Sequence, residues 1–220
     1  TYLFFLCLFL MALTEISAQT IPVNKRFGKV SREELELSSY DLDTAATALI
    51  LYENKWTAIH LNAAGAFTQT TRTHMRIKIL KEEGVSWGDF EMICHHSTKN
   101  QESVAGIDVV TYNLVDGKIV ETKMPKKYIF TEDFTENYKK VTFSAQDVRV
   151  GSVIEVKFDR IDTRYWNLPD IYFQKNIPVN LVECEVRLPE FFTFNKKMTG
   201  YHQVDYAYDE DSGSLQTSNG

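Results

Sequence analysis

Cysteine is scarce in this chain, with three residues, and proline is little commoner, with five. Three cysteines cannot supply the dense disulfide framework that staples small secreted folds. Basic charge is also short: 24 Lys and Arg stand against 30 Asp and Glu, a formal net charge of −6. Nucleic acid selects basic patches, whereas here Lys and Arg occur as singles or pairs such as Lys25-Arg26 and Lys126-Lys127. No nucleic-acid partner is expected. No Asn-x-Ser/Thr sequon occurs anywhere, which points towards a bacterial exporter and away from a glycosylating one. Amphipathic helical repeats and internal repeats are missing as well.

What is present begins with an uncharged apolar run, Tyr2 to Leu13, followed by Thr14-Glu15-Ile16-Ser17-Ala18. That pattern is a signal-peptide core with a small residue before cleavage, so residues 1–18 are expected to be a signal peptide. A membrane span needs roughly 20 apolar residues, and Glu15 stops this run short, so no transmembrane span is expected. The first few residues of the precursor are expected to be missing, since neither an initiator Met nor a basic n-region precedes the run. Cys7 follows Phe5 and Leu6 rather than the small residues a lipid-anchored cysteine requires. Loss of Glu15 with the signal moves the net charge from −6 to −5. The remaining chain of about 200 residues is long enough for a single core.

Helical signal is confined to the start. Ser31 with Glu34 three residues on forms a capping-box pattern over Ser31-Arg32-Glu33-Glu34-Leu35-Glu36, which predicts one short helix or helical turn. The rest reads as strands. Ala48–Tyr52 and Trp56–Leu61 flank Glu53-Asn54-Lys55, a hairpin-length connection. Thr71–Leu80 places Met75, Ile77 and Ile79 on one face and Arg76 and Lys78 on the other, the pattern of a half-buried strand. Asp108–Leu114 and Lys118–Lys123 meet around Asp116-Gly117, a strong type I′ hairpin signal. Val150–Ile161 and Val179–Leu188 continue the series, the latter with its buried face at Val182, Cys184, Val186 and Leu188. The predicted fold is mainly β: an antiparallel β-sandwich with one short N-terminal helix or helical turn, filling residues 19–220 as a single domain.

Candidate chemistry is thin. His95 and His96 are neighbours on a strand-like segment and point to opposite faces, while His60, His74 and His202 lack partners at metal-ligand spacing. No metal and no cofactor are expected. Cys94 next to His95 invites a Cys–His nucleophile, but adjacent strand residues diverge, and no helix N-terminus is there to lower the thiol pKa. Cys94 and Cys184 read either as a single disulfide or as two buried small hydrophobes. Asp205, Asp209, Glu210 and Asp211 fail the EF-hand spacing and read as a hydrated turn. Paired carboxylates of the glycosidase kind have no local signature here. The chain itself is therefore expected not to be an enzyme. The residues left are aromatic. Tyr165-Trp166-Asn167-Leu168-Pro169-Asp170 is a turn, where a core role is less automatic than in a strand. Its Trp is expected to fold back as a lid on the core, with a neighbouring-domain contact or a ligand platform as alternatives. Tyr165, Trp166 and Trp56 are the candidate binding residues.

Phe27-Gly28-Lys29-Val30-Ser31, Arg76-Ile77-Lys78-Ile79-Leu80, Thr111-Tyr112-Asn113-Leu114 with Asp116-Gly117-Lys118, and Val150-Gly151-Ser152-Val153-Ile154-Glu155 succeed one another in a telling order. With Asn167-Leu168-Pro169, Tyr172-Phe173-Gln174 and Ile177-Pro178-Val179, they resemble a domain of unknown function found N-terminal to transglutaminase-like domains in exported bacterial proteins. The resemblance spans about residues 27–195. It implies a β-rich accessory domain in the periplasm or at the cell surface. It also implies a partner beyond Gly220 in the same polypeptide, a papain-like Cys-His-Asp domain. No residue of this chain matches that domain's catalytic motif, so none is carried over. The competing expectation is a glycan- or peptide-binding module that uses exposed aromatics.

Overall fold

The computed structural model describes residues 20–190, 192–195, 197–200, 205 and 207. The expected signal peptide, Cys7, His202 and the acidic residues 209–211 lie outside them.

Ser31 caps α1 (Arg32–Glu36) as its sequence predicts: its hydroxyl accepts from the Glu34 amide, and the Glu34 carboxylate accepts from the Ser31 amide at 2.6 Å. Among the described residues, everything regular after it is strand or short 3-10 helix. The strands are β1 (Ala48–Leu61), β2 (Phe67–Ile79), β3 (Asp89–His95), β4 (Glu102–Val115), β5 (Lys118–Lys123), β6 (Phe130–Thr135), β7 (Tyr138–Ser144), β8 (Val153–Asp162) and β9 (Val182–Arg187). They form a six-stranded sheet in the order β5-β4-β8-β2-β1-β9 and a three-stranded sheet in the order β3-β7-β6. The mainly β sandwich is thus what forms. Asp116 and Gly117 both hold positive φ, 49° and 73°, the geometry that joins β4 to β5 in a tight hairpin.

Four expectations are corrected. Glu53-Asn54-Lys55 is no turn: β1 runs unbroken through it and pairs with β2 from Ala48 to Leu61. A polar run imitates a turn in sequence, but here Glu53 is buried and ion-paired to Lys55 and Lys175. The sheet is also not wholly antiparallel, because β9 runs parallel to β1, with Glu53 opposite Val182. Being an edge strand, β9 leaves Val186 and Leu188 exposed rather than buried.

The fourth correction concerns β2. Its Met75, Ile77 and Ile79 face the small sheet, in a core shared with Ile154, Val156, Met92, Val141 and Phe143. Arg76 and Lys78, on the opposite face, are as buried as the isoleucines, each 0% exposed. The N-terminal segment lies over that face. Ile21, Val23, Phe27, Val30, Leu35 and Leu37 pack there against Leu49, Leu51, Val110 and Val153. The molecule therefore has three layers: small sheet, large sheet, N-terminal strap.

Candidate functional site

Two of the three candidate aromatics, Tyr165 and Trp166, are carried by the corner that follows β8. Asp162 accepts from the Arg164 amide at 2.8 Å and from its Nη2 at 2.6 Å, and Arg164 reaches on to Glu102. Glu102 also takes an ion pair from Arg160 and a hydrogen bond from the His95 amide. From β2, Gln69 Nε2 donates to the carbonyls of Arg164 (3.2 Å) and Asn167 (2.8 Å), and the Asn167 amide closes the turn on Arg164. Charge-assisted bonds of this kind are the stronger class. The Asp162 hydrogen bonds hold the Arg164 guanidinium above its ordinary pKa.

On this frame Tyr165 turns inward. Its ring lies 5.5 Å from Phe67 and 5.4 Å from Phe192. Trp166 stands edge-on to Tyr165 at 5.1 Å and is 57% exposed. The expectation that Trp166 folds back as a lid is therefore corrected: Tyr165 takes the inward position, and Trp166 projects outward. Trp56 is elsewhere. It sits half-buried in mid-β1 with the Arg72 guanidinium 5.3 Å from its ring and that of Arg187 at 6.0 Å, covered by cations. It lies roughly 16 Å along the strand from Leu61, the residue paired with Phe67, and on the opposite face of the sheet. The structure thus brings Tyr165 and Trp166 together and leaves Trp56 apart. Trp87 packs half-buried against the sandwich core.

Neither Cys94 nor Cys184 is bridged. Burial, then the Glu102 charge, pushes the Cys94 thiol up, and the neighbouring His95 ring packs edge-on against Tyr138 instead. Burial also pushes Cys184 up. A raised thiol is a weak nucleophile. Among the described residues no group of three His, Cys, Asp or Glu is placed to hold a metal ion.

The densest polar constellation was not anticipated. Arg76 donates to Glu34 Oε1 at 2.7 Å, to Glu155 Oε1 at 2.5 Å and to the Arg26 carbonyl at 3.2 Å. Glu155 also contacts His74 Nε2 at 2.9 Å and accepts from the Gly28 amide at 2.7 Å and the Tyr112 hydroxyl at 3.2 Å. Lys78 Nζ donates to the carbonyls of Leu35 (2.7 Å) and Gly151 (2.6 Å). Burial alone would raise Glu155, but the bonds from His74 and Arg76 lower it; burial brings Lys78 down to about 8. Strap side chains and backbone fill this site, so it clamps the N-terminal segment rather than receiving a substrate. Its one legible trace was the Ser31–Glu34 box, which fixes the Glu34 carboxylate in place.

Residues 66–216 match the model of the family described as "Domain of Unknown Function with solved-structure structure (DUF3857)", and the chain belongs to that family. Among solved structures it is similar to a putative protease from Parabacteroides distasonis ATCC 8503, at 19% identity and a TM-score of 0.44, over 66% of this chain and 29% of that one. The chain thus spans under a third of that protein's length. No curated protein matches it.

Proposed function

We propose that the chain is a non-catalytic accessory domain of an exported bacterial protein, in the periplasm or at the cell surface. In this proposal its aromatic corner packs on a transglutaminase-like domain of the same polypeptide. One observation carries the proposal: Trp166 is 57% exposed while the turn beneath it is braced by Gln69, Asp162 and Arg164. A large aromatic group already held in position loses little freedom on docking, and such groups anchor interfaces. The family resemblance supplies the nature of the neighbour.

The test is Trp166→Ala in the full polypeptide and in this chain alone. The variant is expected to leave the melting temperature of the isolated chain within a degree or two, consistent with surface substitutions of about 0.5 kcal/mol. In the full polypeptide it should lower the stability or turnover of the transglutaminase-like domain. An unchanged catalytic domain after deletion of residues 19–220 counts against the proposal.

The same exposure keeps a second reading open, a glycan- or peptide-binding module stacking its ligand on Trp166. Retention on a glycan or peptide array, lost in Trp166→Ala, is its expected signature, and no retention removes it.

A further inference from the structure

The four outer strands of the two sheets are not equally protected: edge strand β3 has its outward groups taken up by side chains, the Arg160 guanidinium donating to the Ile93 carbonyl and Glu102 accepting from the His95 amide. An open strand edge is a template for pairing, and natural proteins blunt it with lysine, proline, bulges or inward charges. Edge strand β5 has Lys118 and Lys123 at its two ends. Edge strand β6 has adjacent Glu132 and Asp133 and a register break between Asp133 and Thr135. Over its six residues, Val-Glu-Cys-Glu-Val-Arg, β9 has no lysine, proline or glycine, and its register with β1 is unbroken.

The direction of its free hydrogen-bonding groups follows from the β1 pairing. The Glu53 amide donates to the Leu181 carbonyl at 2.9 Å, so the odd residues from Leu181 on turn their backbone groups towards β1. Val182, Cys184 and Val186 therefore turn theirs outward. Side-chain faces alternate in the same way: Glu183, Glu185 and Arg187 on the face of Trp56, and Val182, Cys184 and Val186 on the other.

Antiparallel pairing of β9 with another β9 about a two-fold axis at Val186 satisfies both patterns at once. Val186 meets Val186 of the second copy, and each Cys184 meets Leu188, so apolar groups oppose on one face. On the other, each Glu185 meets Arg187 of the second copy, and opposite charges directly across a pair are stabilising. The residues opposed at Val186 and at Cys184–Leu188 are those with outward backbone groups, so the new hydrogen bonds fall where donors and acceptors are free. Pro189 is odd-numbered and removes no donor from this edge. Val186 and Leu188 are exposed, at 43% and 38%, as an open pairing site requires. We infer that β9 is a self-pairing edge, joining two copies of this chain through one continuous sheet in a two-fold, isologous interface.

Sedimentation of the chain over a wide concentration range is the test, with circular dichroism to confirm folding. The wild type is expected to dimerise reversibly. Val186→Pro deletes an outward amide that β1 does not use, and is expected to yield a folded monomer. Glu185→Arg alone and Arg187→Glu alone should each weaken the dimer, and the two together should restore it. That charge exchange decides the matter even if the proline variant does not fold. A monomer at every concentration, or a dimer indifferent to both sets of changes, overturns the inference. So does strong amide protection of Val186 in the monomer, which would mean that the chain covers this edge itself.

Discussion

Arg76 is the residue on which two layers depend. Its guanidinium joins the strap through Glu34 and the large sheet through Glu155, with no exposed surface. Removing one member of a buried ionic cluster leaves the others uncompensated, at about 3–5 kcal/mol. Arg76→Ala is therefore expected to lower unfolding free energy by about that amount in a denaturant titration. pH acts on the same cluster in two windows. Glu155 is held below the ordinary carboxylate value of 4.5, so its contribution is present above that pH and disappears as pH falls through its folded value. Lys78 has the opposite consequence. Its folded value is about 8 against 10.5 for the free side chain, so the unfolded chain binds more protons between them. Stability should rise with pH across that interval as far as Lys78 is concerned, and Lys78→Met should flatten the rise in melting temperature. None of this was legible in the alternation of β2. A charged residue in every second position signals solvent unless its partner is known, and Glu34 and Glu155 lie 42 and 79 residues away.

At the scale of elements, local chemistry read well wherever it acts within a few residues. The Ser31 capping box and the Asp116-Gly117 turn both formed as their side chains and backbone preferences dictate. Glu53-Asn54-Lys55 misled because its polarity is answered by Lys175, far along the chain. The aromatic corner was legible as a turn, but its outward Trp166 depends on Gln69, which reaches it across 98 residues. One glycine has a packing role that sequence does not advertise. In the 3-10 helix Glu82–Gly88, a Cβ on Gly84 would stand 2.2 Å from the Thr47 carbonyl oxygen, a backbone atom that cannot swing aside. Gly84→Ala is expected to destabilise by about 1–3 kcal/mol or more, read as an earlier unfolding midpoint at unchanged m-value.

For the whole molecule, the third layer matters most. Strap residues Ile21 to Leu37 hide an apolar cluster and the Arg76–Glu155 charges together. Deleting residues 20–40 is expected to expose both, giving a chain that binds a hydrophobic dye and loses cooperative melting. A cooperative, dye-free truncated chain would mean the two sheets suffice alone. The sandwich itself was foreseeable from strand count and turn spacing. Its strap was not, because irregular segments carry no periodicity.

The parallel pairing of β1 with β9 has a consequence in time. β1 and β2 are joined by a short turn and can zip early, whereas Glu53 meets Val182 only after nearly the whole intervening chain is in place. Closing long loops is slow, and topologies rich in distant contacts fold slowly. Until β9 arrives, the flank of β1 from Glu53 to Ala58 stands bare. A growing or truncated chain that stops short of β9 would carry that bare flank as its stickiest surface, and aggregation during synthesis should be worst in that interval.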